Sequence, residues 1–205
     1  MRVLVGCECS GVVSAAFRAL GHEAYSCDIQ PYYGASEYGR MHHIQRDIRE
    51  VYDYIKPDLF ICHPPCTYLS NAGACRLFPQ KGTMDPERYN LGVAGAQFFE
   101  WCLNRPAPMI CIENPIPSRV FKLPKPTQII QPYFFGEPYS KATCLWLRGL
   151  PPLQQTNLVR PVKGQWVFVH RSKRLRSQTF DGVALAMADA WGRGDLEGLQ
   201  YTFGL

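Results

Sequence analysis

RVLVGCECSGVVSAAFRALGHEAYSCD, residues 2–28, divides into four pieces. Arg2 to Gly6 is a run rich in β-branched residues, suited to a buried strand. Gly6 to Gly11 is a tight loop. Val12 to Leu20 is an apolar helix that Gly21 ends, because glycine accepts the left-handed backbone that closes a helix. Glu23 to Asp28 is a second strand. A strand–loop–helix–strand unit ending on an acid is a nucleotide-binding layout: loop amides and the helix N-terminus receive the ligand, and the acid reaches ribose hydroxyls. Gly6, Cys7, Glu8, Ser10, Gly11, Asp28 and Ile29 are therefore candidate ligand contacts. Gly6 and Gly11 also have a plainer use as turn glycines, and the loop holds fewer glycines than a dinucleotide fingerprint.

Working outward, residues 58–73 read DLFICHPPCTYLSNAG. Asp58 to Cys62 is an apolar run that His63-Pro64-Pro65 cuts short, the pattern of a buried strand with an abrupt end. The two prolines stiffen the turn and leave Cys66 on a rigid loop just past the strand. In an open α/β sheet that edge is where ligands bind. Cys66 is either an inert buried thiol or a nucleophile on a pre-set loop. Met109 to Ile112 is a further buried strand, and Glu113-Asn114-Pro115 follows it. A lone Glu at a strand end is usually an exposed acid. Here the two strand-end motifs lie 47 residues apart (66 to 113) with strand–helix–strand between them, which brings Cys66 and Glu113 to one sheet edge.

Composition narrows the class. A length of 205 residues is one to one and a half domains, and 46% hydrophobic residues suffice for a packed core. The net charge of +5 suits an anionic partner without demanding one. Nine cysteines, an odd number, with no signal-peptide pattern, point to reduced thiols and a cytoplasmic location. No apolar run reaches the length of a membrane span. Cys62, His63, Cys66 and Cys75 form a conceivable zinc set, but they lack knuckle spacing and Cys62 belongs in a strand, so no metal is expected.

The remaining segments read as follows. Pro31 to Met41 is an irregular loop whose Tyr32, Tyr33 and Tyr38 either stack on a base or cover the core. His42 and His43 are surface residues. Asp47 caps a helix from Ile48 to Ile55. Residues 74–87 are a polar loop, and Glu87 to Leu103 is an amphipathic helix with Leu91, Ala94, Phe98 and Cys102 on one face. Residues 159–176 hold Arg160, Lys163, Arg171, Lys173, Arg174 and Arg176 and no acid. That run is either a solvated face or a nucleic-acid contact. Ser177 to Gly182 leads into an apolar helix ending at Trp191, with Asp181 or Thr179 as its cap.

The Pro64-Pro65-Cys66 loop with its downstream Ser70 and Gly73, and the Glu113-Asn114 pair after it in the right order, resemble the DNA (cytosine-5) methyltransferases. The overall look is that of the compact members common in bacteriophage genomes. The resemblance implies a Rossmann-like S-adenosylmethionine-dependent methyltransferase fold, α/β with a doubly wound, mostly parallel sheet. A phage-encoded protein would work in the host cytoplasm. The implied chemistry adds a Cys66 thiolate to carbon 6 of cytosine while Glu113 stabilises the charge at ring nitrogen 3. Carbon 5 then takes the methyl group of S-adenosylmethionine. Asp47, Ile48, Pro64 and Thr179 join the implied cofactor contacts. Pro65, Ser70, Asn114, Lys141, Arg171, Lys173, Arg174 and Arg176 are the implied substrate contacts. The chain departs from the family pattern at several places. Glu8 and Ser10 stand where glycines are usual, His63 where the family has Gly, and Thr67 where it has Gln. Lys141 and Thr143 stand in for arginines, with Arg148 a further candidate.

The implied organisation is a cofactor-binding catalytic core over 1–150, a small basic insertion over 151–178 and a C-terminal helix over 179–205 that returns to the core. Residues 150–177 are too few for a full target-recognition domain. Three readings stay open: methylation of DNA, with little specificity or with a protein partner supplying recognition; methylation of RNA or a free cytosine nucleotide; and nucleic-acid binding without catalysis.

Overall fold

The computed structural model describes residues 1–74, 76–80, 82–162, 172 and 176–193. Its strands are β1 (Arg2–Gly6), β2 (Glu23–Asp28), β3 (His43–Gln45), β4 (Leu59–Cys62), β5 (Met109–Pro115), β6 (Gln128–Ile130) and β7 (Thr143–Arg148). Its helices are α1 (Val12–Ala19), α2 (Glu37–Met41), α3 (Ile48–Ile55), α4 (Asn71–Ala74), α5 (Pro86–Leu103) and α6 (Asp181–Gly192). The strands form one sheet in the order β3-β2-β1-β4-β5-β7-β6. The pairs among β1 to β5 are parallel, and β7 runs antiparallel to both β5 and β6. The sheet is doubly wound. Its order turns back on itself between β1 and β4, the switch point where such sheets bind ligands. The fold is Rossmann-like, with the reversed β7 hairpin at one edge.

Helices cover both faces, and the strand sequences show it. β4 is buried at every residue, Leu59 through Cys62. A strand covered on both faces reads as a continuous apolar run rather than an alternation. Alternate residues still serve different layers. Val3, Val5, Leu59 and Ile61 pack with Phe17 of α1 and Met187 and Trp191 of α6. Leu4, Phe60, Cys62, Ile110 and Ile112 pack with Val51 and Tyr52 of α3 and Phe99 and Cys102 of α5. α6 packs on this core: Trp191 is 1% exposed and its indole Nε1 donates to the Pro151 carbonyl at 3.0 Å.

Local signals account for most boundaries. Asp47 caps α3 by accepting from the Arg49 amide, and Asp85 caps α5 by accepting from Arg88, with Pro86 in the first turn. Gly21 takes φ +83° just past the end of α1. Other expectations need correction. The 31–41 loop contains a helical turn, because the Ser36 hydroxyl accepts from the Gly39 amide and starts α2. His43, expected on the surface, is half-buried: it opens β3, and its Nδ1 is 2.9 Å from the Ser26 hydroxyl. The buried residues of α5 are Gly92, Phe99 and Cys102, whereas Leu91 is 41% exposed. Gly92 faces the core because any Cβ there would meet the Phe121 ring at 2.0 Å. Neither Thr179 nor Asp181 caps α6: Phe180 holds that position with no side-chain bond, and Asp181 is the first helical residue. β5 runs on through Glu113, Asn114 and Pro115, since these pair with Leu145, Cys144 and Thr143 of β7.

The α6 packing gives a paired test. Trp191→Ala removes a fully buried aromatic and its hydrogen bond and should cost about 3–5 kcal/mol. Leu185→Ala on the same helix, at a residue 61% exposed, should change stability by under about 0.5 kcal/mol. Urea denaturation of both variants checks this contrast.

Candidate active site

Parallel register assembles the site. Cys27, Gly6, Cys62 and Ile112 are neighbours across β2, β1, β4 and β5. The residues that follow them, Asp28, Cys7, His63 and Glu113, therefore stand side by side along the C-terminal edge. The His63 amide continues the ladder by donating to the Gly6 carbonyl at 3.0 Å, and the Glu8 amide donates to Cys27 at 3.1 Å. β1 and β4 leave the sheet there, while β5 runs on to Pro115.

His63 and Glu113 meet directly. Nδ1 of His63 lies 2.9 Å from Oε2 of Glu113, with side chains 11% and 18% exposed. Burial disfavours the imidazolium, but the hydrogen bond and charge of Glu113, reinforced by Glu8, outweigh it and hold His63 above its ordinary pKa. Burial likewise pushes the Glu113 carboxyl up, yet the bond and charge of His63 and the charge of Lys141 bring it below the usual carboxylate value. Both shifts favour an imidazolium facing a carboxylate. Sequence reasoning left His63 out of the site. Its signal was a titratable residue standing beside the Pro-Pro-Cys turn where glycine was expected.

Cys66 sits on a loop tied to β5. Asn114, 1% exposed, donates from Nδ2 to the Pro64 carbonyl at 2.7 Å. The Cys66 carbonyl accepts from the Leu69 and Ser70 amides at 3.1 and 3.0 Å, which folds the turn. Asn71 donates to Ile116, Ser118 donates to Leu69, and Ser70 bridges to Pro117. Ser70 is buried, and its hydroxyl accepts from Gly73 at the start of α4. The Arg88 guanidinium lies 4.9 Å from the centre of the Tyr68 ring and covers the loop from outside. Cys66 is partly exposed, whereas Cys27, Cys62, Cys111 and Cys144 are buried. Burial pushes the Cys27 and Cys144 thiols up to about 12 and about 11 and raises Cys62 and Cys111 as well. Burial thus disfavours the thiolate at those four positions.

A small cavity of about 20 Å³ opens beside Glu113, lined by Lys141, Thr143, Gln178, Thr179 and Phe180 among others. That volume holds about one water. Lys141 donates from Nζ to the Arg176 carbonyl at 3.0 Å and lies 5.6 Å from the Phe180 ring centre. Thr143 donates to the Lys141 carbonyl at 3.2 Å. Arg148, the other candidate from this region, lies at the far end of β7. It binds the carbonyls of Leu103, Arg105 and Ala107 and fastens the end of α5. Arg171, Lys173 and Arg174 lie outside the described residues, as do Cys75 and Lys163.

A larger cleft, about 640 Å³, lies at the start of α1 between Ser10-Gly11-Val12 and Tyr32 to Ser36, with Gln178 and Asp181 on its other side. This is the size range of small-molecule sites. Gly11 must be glycine here: its φ is +72°, and a Cβ would sit 2.6 Å from the Tyr32 ring. Gly6 lets β1 approach Ile48, which is buried beneath it. Cys7 is held at φ +57° with its sulfur 3.9 Å from that of Cys62. Glu8 is 4% exposed and turns inward: its carboxylate accepts from the amides of Val13 at 2.6 Å and Ser14 at 3.3 Å. Burial raises its pKa against the lowering by His63 and those bonds. Glu8 thus fills the helix N-terminus that would otherwise receive a ligand phosphate. Asp28 accepts from the Gln30 amide at 2.8 Å, Ile29 is 67% exposed, and Asp47 caps α3 while paired with Arg49. Among the described residues no cluster of three or more His, Cys, Asp or Glu is placed to hold a metal, and no helix is long and apolar enough to cross a membrane.

No family model matches the sequence, and no curated protein matches it. Solved structures do resemble it in outline. A prophage-encoded protein of E. coli proposed to be a DNA modification methyltransferase shares 11% identity at a TM-score of 0.45, covering 82% of this chain and 54% of that one. The Entamoeba histolytica methyltransferase EhMeth shares 17% at 0.45, covering 78% and 57%. The S. pombe Dnmt2 methyltransferase shares 15% at 0.46, covering 85% and 56%. The chain spans a little over half the length of these structures. The sheet order, not these likenesses, fixes the fold.

The ion pair has a pH signature. Glu113, depressed, contributes stability above its unfolded value near 4.5 and loses it as pH falls through its lower folded value. His63, raised, contributes stability below 6.5 and loses it as pH rises through its higher folded value. The Tm difference between wild type and a His63→Gln/Glu113→Gln double variant should therefore be greatest between pH 4.5 and 6.5 and shrink on both sides. A thermal-melt series across pH measures it. A difference flat in pH would mean the pair is not ionic.

Proposed function

We propose that this protein transfers the methyl group of S-adenosylmethionine to carbon 5 of cytosine in DNA, with Cys66 as nucleophile and Glu113 as the partner of ring nitrogen 3. The observation that carries the reading is the coupling of the Cys66 loop to β5, the strand that bears Glu113, through the Asn114–Pro64 bond. Nucleophilic addition to a pyrimidine needs attack at carbon 6 and charge relief at nitrogen 3 to be positioned together. A rigid loop fastened to the strand bearing the acid meets that need. Cys66 is partly exposed, as are Cys7 and Cys9, and of these three it alone lies on the loop fastened to β5 by Asn114, which supports the same choice of nucleophile.

The cleft at α1 fits the cofactor by size and by charge. Its loop carries an internal carboxylate, Glu8, where a dinucleotide enzyme would hold a pyrophosphate. That arrangement opposes an anionic ligand and suits a cationic nucleoside. Ser10, Gly11 and Tyr32 would hold it, with Asp28 for the ribose and Asp47 and Ile48 nearby. When bound, S-adenosylmethionine supplies the electrophilic methyl group. Lys141 and Thr179 border the pocket beside Glu113 and would face the base there. A base in duplex DNA must also leave the stack. Arg171, Lys173, Arg174 and Arg176 would contact the phosphate backbone, and a protein partner would supply sequence recognition.

The test is transfer of labelled methyl to duplex DNA, single-stranded DNA, RNA and cytosine nucleotides. Label should appear on carbon 5 of cytosine in DNA. Cys66→Ala should lower it by at least about a thousandfold and Glu113→Gln by about 10²–10³. Transfer to nucleotides alone, insensitive to salt, would replace DNA as the substrate. No transfer to any substrate would refute the enzyme.

A further inference from the structure

His63 lies between two buried carboxylates and belongs to neither the nucleophile nor the ring-nitrogen role. Its Nδ1 is committed to Glu113 at 2.9 Å. Its Nε2 is buried and has no hydrogen-bond partner among the described residues. Four charged or titratable groups bear on it: Glu113 from β5, Glu8 from the loop after β1, Lys141 from the approach to β7, and Asp28 from the end of β2. Three of the four are acids, so the surroundings favour a proton on the imidazole. The backbone holds the ring firmly, since the His63 amide is locked to Gly6 and Pro64 follows at once.

This arrangement poses a problem for Glu113 acting alone. Ring nitrogen 3 of cytosine is an acceptor, and a bare carboxylate is acceptor-only, so the two repel. The site needs one proton between them. We propose that His63 is the positioning residue of this site: it orients the Glu113 carboxylate and keeps available, through it, the proton that ring nitrogen 3 takes up when the nucleophile adds. This inference rests on the reading of Cys66 and Glu113 given above.

The step balances. The Cys66 thiolate forms a bond to carbon 6. The carbon 5–carbon 6 π electrons move to carbon 5–carbon 4, and the carbon 4–nitrogen 3 π pair moves to nitrogen 3. Nitrogen 3 takes a proton from Glu113, and Glu113 takes one from Nδ1 of His63. One negative charge on sulfur and one positive charge on the imidazolium are consumed, leaving a neutral adduct and a neutral imidazole. On release the thiolate leaves and the nitrogen 3 proton returns by the same route, while the proton of carbon 5 goes to solvent.

The inference predicts a pH effect that a packing role would not produce. In the wild type the shared proton persists up to the His63 pKa, which Glu113 raises. Without His63 only the carboxyl of Glu113 can hold it. The alkaline limb of kcat for methyl transfer should therefore move down by about one pH unit or more in His63→Gln. At pH 8 kcat should fall about 10- to 100-fold with KM for the nucleic acid nearly unchanged. His63→Asn should behave alike, and circular dichroism confirms that each variant is folded. Independently of activity, nitrogen NMR of labelled histidine should show a doubly protonated His63 at pH 7 that becomes singly protonated in Glu113→Gln. A uniform loss of kcat with the limb unmoved would overturn the inference while leaving the proposed reaction standing. So would a singly protonated His63 in the wild type. A wild type that transfers no methyl at any pH refutes the proposed reaction, and the proton route with it, even where NMR shows the ion pair.

Discussion

Burying a charged group costs several kcal/mol unless a partner of opposite sign or a set of hydrogen-bond donors replaces its water. Two carboxylates are buried at the C-terminal edge of this sheet, and each is satisfied differently. Glu8 receives two amides from the first turn of α1. Glu113 receives the His63 ring, whose charged form the contact favours. The site depends on this division. Glu8 fixes the β1–α1 loop to its own helix, so the loop is shaped before any ligand arrives. His63 fixes Glu113 to the strand next door, so β4 and β5 share one electrostatic unit one strand away from the switch point.

Around that unit the backbone leaves little freedom. His63 is both the last ladder partner of β1 and the residue before two prolines. Asn114 is both a paired residue of β5 and the donor that holds Pro64. Each element of the site thus performs a second task in the sheet or in the adjoining turn. Displacing Cys66 relative to Glu113 would require breaking the Asn114 bond and the links of residues 69–71 to 116–118 together.

The sheet was legible because its strands carry a simple signal. Arg2–Gly6, Glu23–Asp28 and Leu59–Cys62 are short apolar runs bounded by glycine, an acid or proline, and the observed limits differ by a residue at most. Asp47 as a helix cap followed from local chemistry in the same way. What failed had non-local causes. β5 continues through Glu113 to Pro115 only because β7 lies beside it, and no pattern within β5 announces that neighbour. The buried face of α5 follows from a ring, Phe121, that arrives from elsewhere and fits only against Gly92. His63 was the largest omission from the site. Its role depends on a register between β4 and β5 that places it next to a residue 50 positions away. Glu8 was legible as a member of the loop but not in its direction, because nothing in the sequence says whether a loop carboxylate points to a ligand or to its own helix.

The reversed strand at the sheet edge has an effect of a different kind. Because β7 runs against β5, it is the start of β7, Thr143, that lies beside Pro115 and Ile130. The connection from β6 to β7, residues 131–142, therefore begins and ends at the rim of the pocket beside Glu113, and Pro132 and Lys141 line it. Phe135 anchors the middle of this segment in the core, while Pro138 to Lys141 take no part in the pairing of the seven strands. The chain thus has a place where a new substrate preference could be acquired by insertion or drift while the hydrogen-bonded frame and the charged pair stay as they are.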